Sequence, residues 1–162
     1  MKLTIIAGAR PNFIKIAPII QAIQKNNDQD GRKKIQFRLI HTGQHYDTKM
    51  SDTFFQELNI PEPNVNLGCG GGSQAEQTAA IMIAFEKDLI LHPTDLVVVV
   101  GDVTSTLACS IVAKKQGVKV AHVEAGIRSF DLTMPEEINR MVTDSITDYF
   151  FTTSTTANSN LL

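Results

Sequence analysis

Two apolar runs in this chain each end on a carboxylate. Leu96-Val97-Val98-Val99-Val100 leads into Gly101-Asp102, and Val118-Lys119-Val120-Ala121-His122-Val123 leads into Glu124-Ala125-Gly126. Near-continuous β-branched runs separated by a helical stretch read as parallel strands buried on both faces. Their C-terminal ends then share the edge where open α/β sheets bind ligands, which puts Asp102 and Glu124 on a candidate active-site rim. A third acidic position follows at Pro135-Glu136-Glu137.

Each of these residues has a structural alternative. Asp102 could cap the next helix, but Thr104 and Ser105 lie closer to it and leave Asp102 free for the cleft. Glu124, followed by Ala-Gly, has no cap to make. His122 shares its face at period two and reads as a hydrogen-bonded core histidine. Glu136 and Glu137 stand in the first turn of a helix, where the macrodipole favours acids. Three carboxylates could chelate a divalent cation, but no His or Asp spacing matches a ligand motif, so neither metal nor cofactor is assigned.

Arg10 and Lys15 flank the start of the first helix, where the backbone dipole disfavours cations. An anion such as phosphate seated at that helix end reverses the sign of the effect, so the pair points to phosphate binding. The alternative is that both side chains extend into solvent. The glycine run at 68–72 resembles a phosphate loop by composition only, since it follows no clear strand and lacks the Lys-Ser/Thr of a P-loop; it reads as a mobile loop.

Leu3 to Ala7 reads as a first strand, and Pro11 opens a helix through about Lys25. A second strand spans Ile35 to His41, and a short helix Met50 to Leu58. Pro61 to Ser73 is too rich in breakers for regular structure. Then come a helix over Gln74 to Leu91, the Leu96 strand, a helix from Ser105 to Gln116, the Val118 strand, a helix from Pro135 to Thr147, and a strand over Tyr149 to Thr153. Ala157 to Leu162 reads as an uncapped helix beginning with an exposed apolar face. Strands alternating with helices predict an α/β fold, a doubly wound, Rossmann-like parallel sheet in a single domain.

At 162 residues the chain can bury roughly 70% of its unfolded surface, enough for a conventional core. With 15 Lys+Arg against 17 Asp+Glu there is no broad basic field for nucleic acid or an anionic membrane. Cys69 and Cys109 are too far apart for a CxxC pair and too few for a disulfide framework. No run approaches the ~18 apolar residues of a membrane span, and the N-terminal segment lacks the apolar core of a signal peptide. A soluble cytoplasmic protein is expected.

Five segments, in order, resemble the non-hydrolysing UDP-N-acetylglucosamine 2-epimerases: Gly8-Ala9-Arg10-Pro11-Asn12-Phe13-Ile14-Lys15-Ile16-Ala17-Pro18, Thr42-Gly43-Gln44-His45, Gly101-Asp102, His122-Val123-Glu124-Ala125-Gly126-Ile127-Arg128 and Pro135-Glu136-Glu137-Ile138-Asn139-Arg140. The resemblance spans essentially the whole chain but only the N-terminal half of that family's sequence. It implies that residues 1–162 are the N-terminal Rossmann-like domain of a two-domain protein resembling glycosyltransferase-B folds, with the C-terminal nucleotide-binding domain outside this chain. It also implies a homodimer.

The implied reaction interconverts UDP-N-acetylglucosamine and UDP-N-acetylmannosamine for surface polysaccharide synthesis, without a cofactor. Arg10 and Lys15 would face the diphosphate, and Asp102, Glu124 and Glu136 would be the acid/base carboxylates, with Asp102 favoured as base. Gln44 and His45 match a region of a second, activating substrate site. The family's motif has Thr at Ala9, Glu-Ala at Asn12-Phe13, and a basic residue then Gln or Glu at Tyr46-Asp47. The 162 residues alone are expected to fold but to show no turnover, because half a cleft does not hold the uridine. A hydrolysing epimerase or a lone domain with weak anion binding are the alternatives.

Overall fold

In the computed structural model, residues 1–43 and 52–162 are described. Six strands, β1 (Lys2–Ala7), β2 (Gln36–His41), β3 (Val65–Asn66), β4 (Leu96–Val100), β5 (Lys119–Val123) and β6 (Tyr149–Phe151), alternate with α1 (Arg10–Asn27), α2 (Asp52–Glu57), α3 (Gln74–Leu91), α4 (Thr104–Lys115), α5 (Pro135–Ile146) and α6 (Thr155–Ser159). The strands pair in parallel in the order β3-β2-β1-β4-β5-β6. This is the expected doubly wound, Rossmann-like sheet. Its order reverses between β1 and β4, so the crevice beyond their C-terminal ends is the topological switch point.

Burial on both faces follows from the pleat. β1 sends Leu3, Ile5 and Ala7 to one side and Ile6 to the other, and β4 divides Val98 and Val100 from Val97 and Val99. A strand apolar at every position needs a helix layer on each face. Phe13, Ile16 and Ile20 of α1 with Phe54 and Phe55 of α2 close the first side; Ile81 and Phe85 of α3 with Cys109 and Val112 of α4 close the second.

Two elements depart from the sequence reading. Val65 and Asn66 form a short edge strand on β2, led in by Asn64, whose side chain accepts from Leu39 N–H at 2.8 Å while its own N–H donates to Leu39 O at 2.7 Å. Two residues flanked by prolines and glycines are too few to show a strand period, so tertiary pairing decides. Helix α6 begins before Ala157 and is capped, because Ser154 Oγ accepts from Ala157 N–H at 3.1 Å. Helix α4 starts at Thr104 without any side-chain cap, so neither Asp102 nor Thr104 nor Ser105 has that task.

Phe13 is fully buried, stacks on His41 at 5.2 Å between ring centroids, and meets Phe54 and Phe55 edge-on at 6.1 and 5.3 Å. Phe13→Ala is therefore expected to cost about 3–5 kcal/mol. Urea midpoints of the two proteins check this, and a loss below about 1 kcal/mol would show that the aromatic cluster collapses to fill the gap.

Candidate active site

The site is built on the end of β4, where the chain leaves the sheet and its carbonyls lose their ladder partners. Each is caught by a side chain from another element. Val100 O accepts from Asn12 Nδ2 at 3.3 Å and Thr106 Oγ1 at 2.9 Å, Gly101 O faces His122 Nε2 at 2.7 Å, and Asp102 O accepts from Asn139 Nδ2 at 2.8 Å. Gly101 has φ of +69°, which glycine adopts without strain, so the chain turns here and carries Asp102 to the rim.

Asn12 also closes the neighbouring turn. Its Oδ1 accepts from Gly8 N–H at 3.1 Å and Ala9 N–H at 2.9 Å. Two donors that an anion at the start of α1 could have used are thus taken, and cationic side chains remain. Arg10 is exposed, with its guanidinium 4.8 Å from the centre of the Phe54 ring. Lys15 Nζ meets Glu124 Oε2 at 2.6 Å, with the two side chains 38% and 23% exposed. The structure thus brings together Lys15 from α1 and Glu124 from beyond β5 across the switch point.

Glu124 has φ of +69°. A non-glycine residue in the left-handed region is strained by on the order of 1–2 kcal/mol, and such strain persists only where the surroundings enforce it. Here Glu124 N–H and Ala125 N–H both donate to Phe151 O, at 2.9 and 3.1 Å, and Gly126 N–H donates to Asp144 Oδ2 at 3.1 Å. A Cβ on Gly126 would collide with the backbone of Ala157, and Asn160 Nδ2 donates to Gly126 O at 2.9 Å, so α6 packs directly on this turn.

Asp102, with a side chain 31% exposed, is ion-paired through Oδ2 with Arg140 Nη2. The other arm of Arg140 reaches Glu137 Oε2 at 2.9 Å. Glu137 is 1% exposed and accepts from Ser129 N–H at 2.9 Å and Phe130 N–H at 3.1 Å. Burial acts to raise its pKa, but these N–H donors and Arg140 prevail and hold it down to about 2. Glu137 is therefore structural: it clamps the loop before α5, including Phe130 at φ of +60°, and anchors Arg140. Glu136 is half-buried, and no hydrogen bond or ion pair engages its carboxylate among the described residues. Positions 136, 139 and 140 share one helix face. Glu136 thus lies on the face whose Asn139 and Arg140 hold Asp102.

Sequence reasoning missed Asn12, Glu137, Asn139, Arg140 and Asp144 as parts of this arrangement. For Asn139 and Arg140 the signal was their i+3 and i+4 spacing from Glu136. His122 is the core histidine that its alternation predicted, with no exposed surface. Gln44 and His45 lie outside the described residues. Among the described residues, no three His, Cys, Asp or Glu side chains are grouped to hold a metal ion, and no helix is long and apolar enough to cross a membrane. Cavities of about 290 and 480 Å³ lie at the opposite, N-terminal edge of the sheet, lined in part by Lys2, Gln36 and Pro93 and by Asp95, Lys119 and Tyr149. The carboxylates instead face an open rim.

A Rossmann-like sheet with acids and a lysine at its switch point is the scaffold of many nucleotide-handling proteins, and comparison with known proteins narrows the class. Residues 27–162 match the family model described as UDP-N-acetylglucosamine 2-epimerase. The chain belongs to that family. It is 49% identical over its full length to the UDP-N-acetylglucosamine 2-epimerase of Methanocaldococcus jannaschii, covering 42% of that protein. It is 41% identical over 99% of its length to the UDP-2,3-diacetamido-2,3-dideoxy-D-glucuronate 2-epimerase of Pseudomonas aeruginosa, covering 44% of it. The crystal structure of the M. jannaschii enzyme in complex with UDP-GlcNAc and UDP superposes with a TM-score of 0.91 at 48% identity, over 99% of this chain and 42% of that one. The lipopolysaccharide outer core galactosyltransferase WaaB, at 16% identity and TM-score 0.64 over 99% of this chain and 42% of its own, shares the fold. The chain thus spans less than half the length of the relatives it matches.

The depressed pKa of Glu137 sets an acid limit. Its stabilisation is complete above the usual 4.5 and is lost as pH falls through about 2, because the unfolded chain takes up the proton first. Glu137→Gln should lose about 3 kcal/mol at neutral pH, the order expected when one partner of a buried charged pair is removed. It should also show a flatter acid-melting profile between those limits. Melting temperatures of both proteins from neutral pH downward test this, and parallel profiles would assign the acid limit to other carboxylates.

Proposed function

We propose that this chain is the N-terminal Rossmann-like domain of a two-domain, non-hydrolysing UDP-N-acetylglucosamine 2-epimerase. The observation that carries the reading is the meeting at one switch point of Asp102, Glu124 and Lys15, with Glu136 on the adjoining face of α5, in a chain of the epimerase family. The substrate is a UDP-linked 2-acetamido sugar bound between this rim and a second domain, which closes the site to water.

The C2 hydrogen of such a sugar is not adjacent to a carbonyl and is scarcely acidic. If the C1–O bond to UDP breaks first, its electron pair leaves with UDP and an oxocarbenium-like C1 acidifies the C2 hydrogen. A carboxylate then removes that proton as general base, and the C–H electrons form the C1–C2 double bond of a glycal. Return of a proton to the opposite face of C2 and of UDP to C1 completes the inversion. In this reading Asp102 is the base, aimed by its ion pair with Arg140, and Glu124 and Glu136 supply or relay the returning proton. Arg10 and Lys15 stabilise the departing diphosphate, for which Lys15 exchanges its Glu124 partner.

We propose further that the protein is a cytoplasmic homodimer. Exposed Ile83 and Ile90 on α3 and Ile138 and Met141 on α5 support a second copy as partner, and light scattering of the full-length protein tests it.

Asp102→Asn, Glu124→Gln and Glu136→Gln in the full-length protein should each lower turnover by ~10²-fold or more with folding retained. Solvent deuterium incorporated at C2 at the wild-type rate in all three would remove the acid/base assignment. Arg10→Ala and Lys15→Ala should weaken UDP binding measured by calorimetry by about tenfold each. The same assays show whether the product is the nucleotide sugar, as proposed, or free N-acetylmannosamine, the outcome of a hydrolysing enzyme. The 162-residue chain alone should leave UDP-N-acetylglucosamine unchanged.

A further inference from the structure

Behind the rim lies a buried pair that the mechanism above does not use. His122 has no exposed surface and the Asp144 side chain is 4% exposed, with His122 Nδ1 to Asp144 Oδ1 at 2.7 Å. The other ring nitrogen reaches Gly101 O at 2.7 Å, and the other carboxylate oxygen accepts from Gly126 N–H at 3.1 Å and Arg128 Nη1 at 2.6 Å. One end of the pair thus grips the residue before Asp102, and the other end grips the residue two beyond Glu124.

We propose that His122 and Asp144 are positioning residues that set the place of Asp102 relative to Glu124. This deepens the epimerase reading and rests on it. The geometry excludes direct chemistry by the pair: both His122 nitrogens are engaged by protein oxygens, and the ring has no surface on the cleft. Both ring nitrogens sit 2.7 Å from oxygens that fix the plane of the ring, one on α5 and one on the turn after β4. Burial acts to raise the Asp144 pKa, but its donors His122, Arg128 and Gly126 N–H outweigh this and hold the carboxyl below the usual range.

The need for such a brace is local. Asp102 and Glu124 stand beyond the ends of adjacent strands, where register pairing stops at Val100 and Val123. Gly101 at φ +69° and Glu124 at φ +69° both leave the strand conformation. Among the described residues, only Gly101 N–H, donating to Val123 O at 3.0 Å, joins the two turns through backbone alone. His122 and Asp144 add a buried side-chain connection to this one, alongside the hold of Asn139 and Arg140 on Asp102. In an elimination followed by re-addition, the spacing of two carboxylates decides whether the glycal is re-protonated before it escapes.

The test uses the full-length protein with His122→Phe, His122→Gln, Asp144→Asn and, as a stability control, Val112→Ala on the buried face of α4. Melting temperature, KM, kcat and the fraction of turnovers released as glycal plus UDP are measured for each. Expected for His122→Phe and Asp144→Asn are KM within about threefold, kcat lower by about 30-fold, and a glycal fraction raised about tenfold, because an ångström of misplacement costs that order of rate. His122→Gln, which keeps one donor, should recover part of both effects, and Val112→Ala should change neither. A glycal fraction in His122→Phe no higher than in Val112→Ala, or an effect confined to KM, would overturn the proposal. If the wild-type protein does not act on UDP-sugars, the epimerase reading itself falls. Crystal structures of the variants then decide the positioning claim, which is wrong if the Asp102 and Glu124 carboxylates keep their wild-type places.

Discussion

The end of β4 must leave the sheet without leaving its carbonyls unpaired. Buried backbone oxygens in this position cost free energy unless something else donates to them. Here Asn12, Thr106, His122 and Asn139 meet Val100, Gly101 and Asp102 in turn, drawing α1, α4, β5 and α5 to one point. Satisfying three carbonyls thereby ties together four elements through contacts that span from 6 to 88 positions of sequence. The same tie holds the Asp102 side chain at the rim, so backbone accounting and site geometry are one problem with one solution.

Charge burial follows from that solution. Arg140 bridges Glu137 and Asp102, and Arg128 and His122 flank Asp144, so each buried carboxylate has cationic or N–H partners. Such networks are weak sources of net stability, since desolvation offsets much of the attraction. What they provide is direction. Glu124, in a left-handed conformation that its own side chain disfavours, keeps that conformation because Phe151 O, Asp144 and α6 surround its turn.

Much of this was legible in the chain. The strands β1, β4 and β5 are visible as near-continuous apolar runs, complete only in β4, and the sequence before α3 carries a capping box formed by Ser73 and Glu76. Asp102 and Glu124 were legible as strand endings. The edge strand β3 was not, since two residues carry no period and only pairing with β2 makes them a strand. Asn12 was legible as part of a motif but not as a clamp, because its partners, Gly8, Ala9 and Val100, are defined by how β1 and β4 adjoin. The Lys15–Glu124 pair spans 109 positions, and no local pattern links its members.

Glu136 and Glu137 show where residue type stops being informative and helix geometry takes over. Both are acids in the first turn of α5, with the same favourable interaction with its dipole. One step along a helix turns the side chain by about 100°. That step sends Glu137 inward, where Ser129, Phe130 and Arg140 meet it, and leaves Glu136 on the face of Asn139 and Arg140, with its carboxylate unengaged among the described residues. A carboxylate already saturated with donors has little capacity to exchange a proton near neutral pH, which leaves Glu137 a structural role. Arg140 then links the two positions: the residue that Glu137 immobilises is the residue that ion-pairs with Asp102, so the buried acid fixes the rim without being part of it.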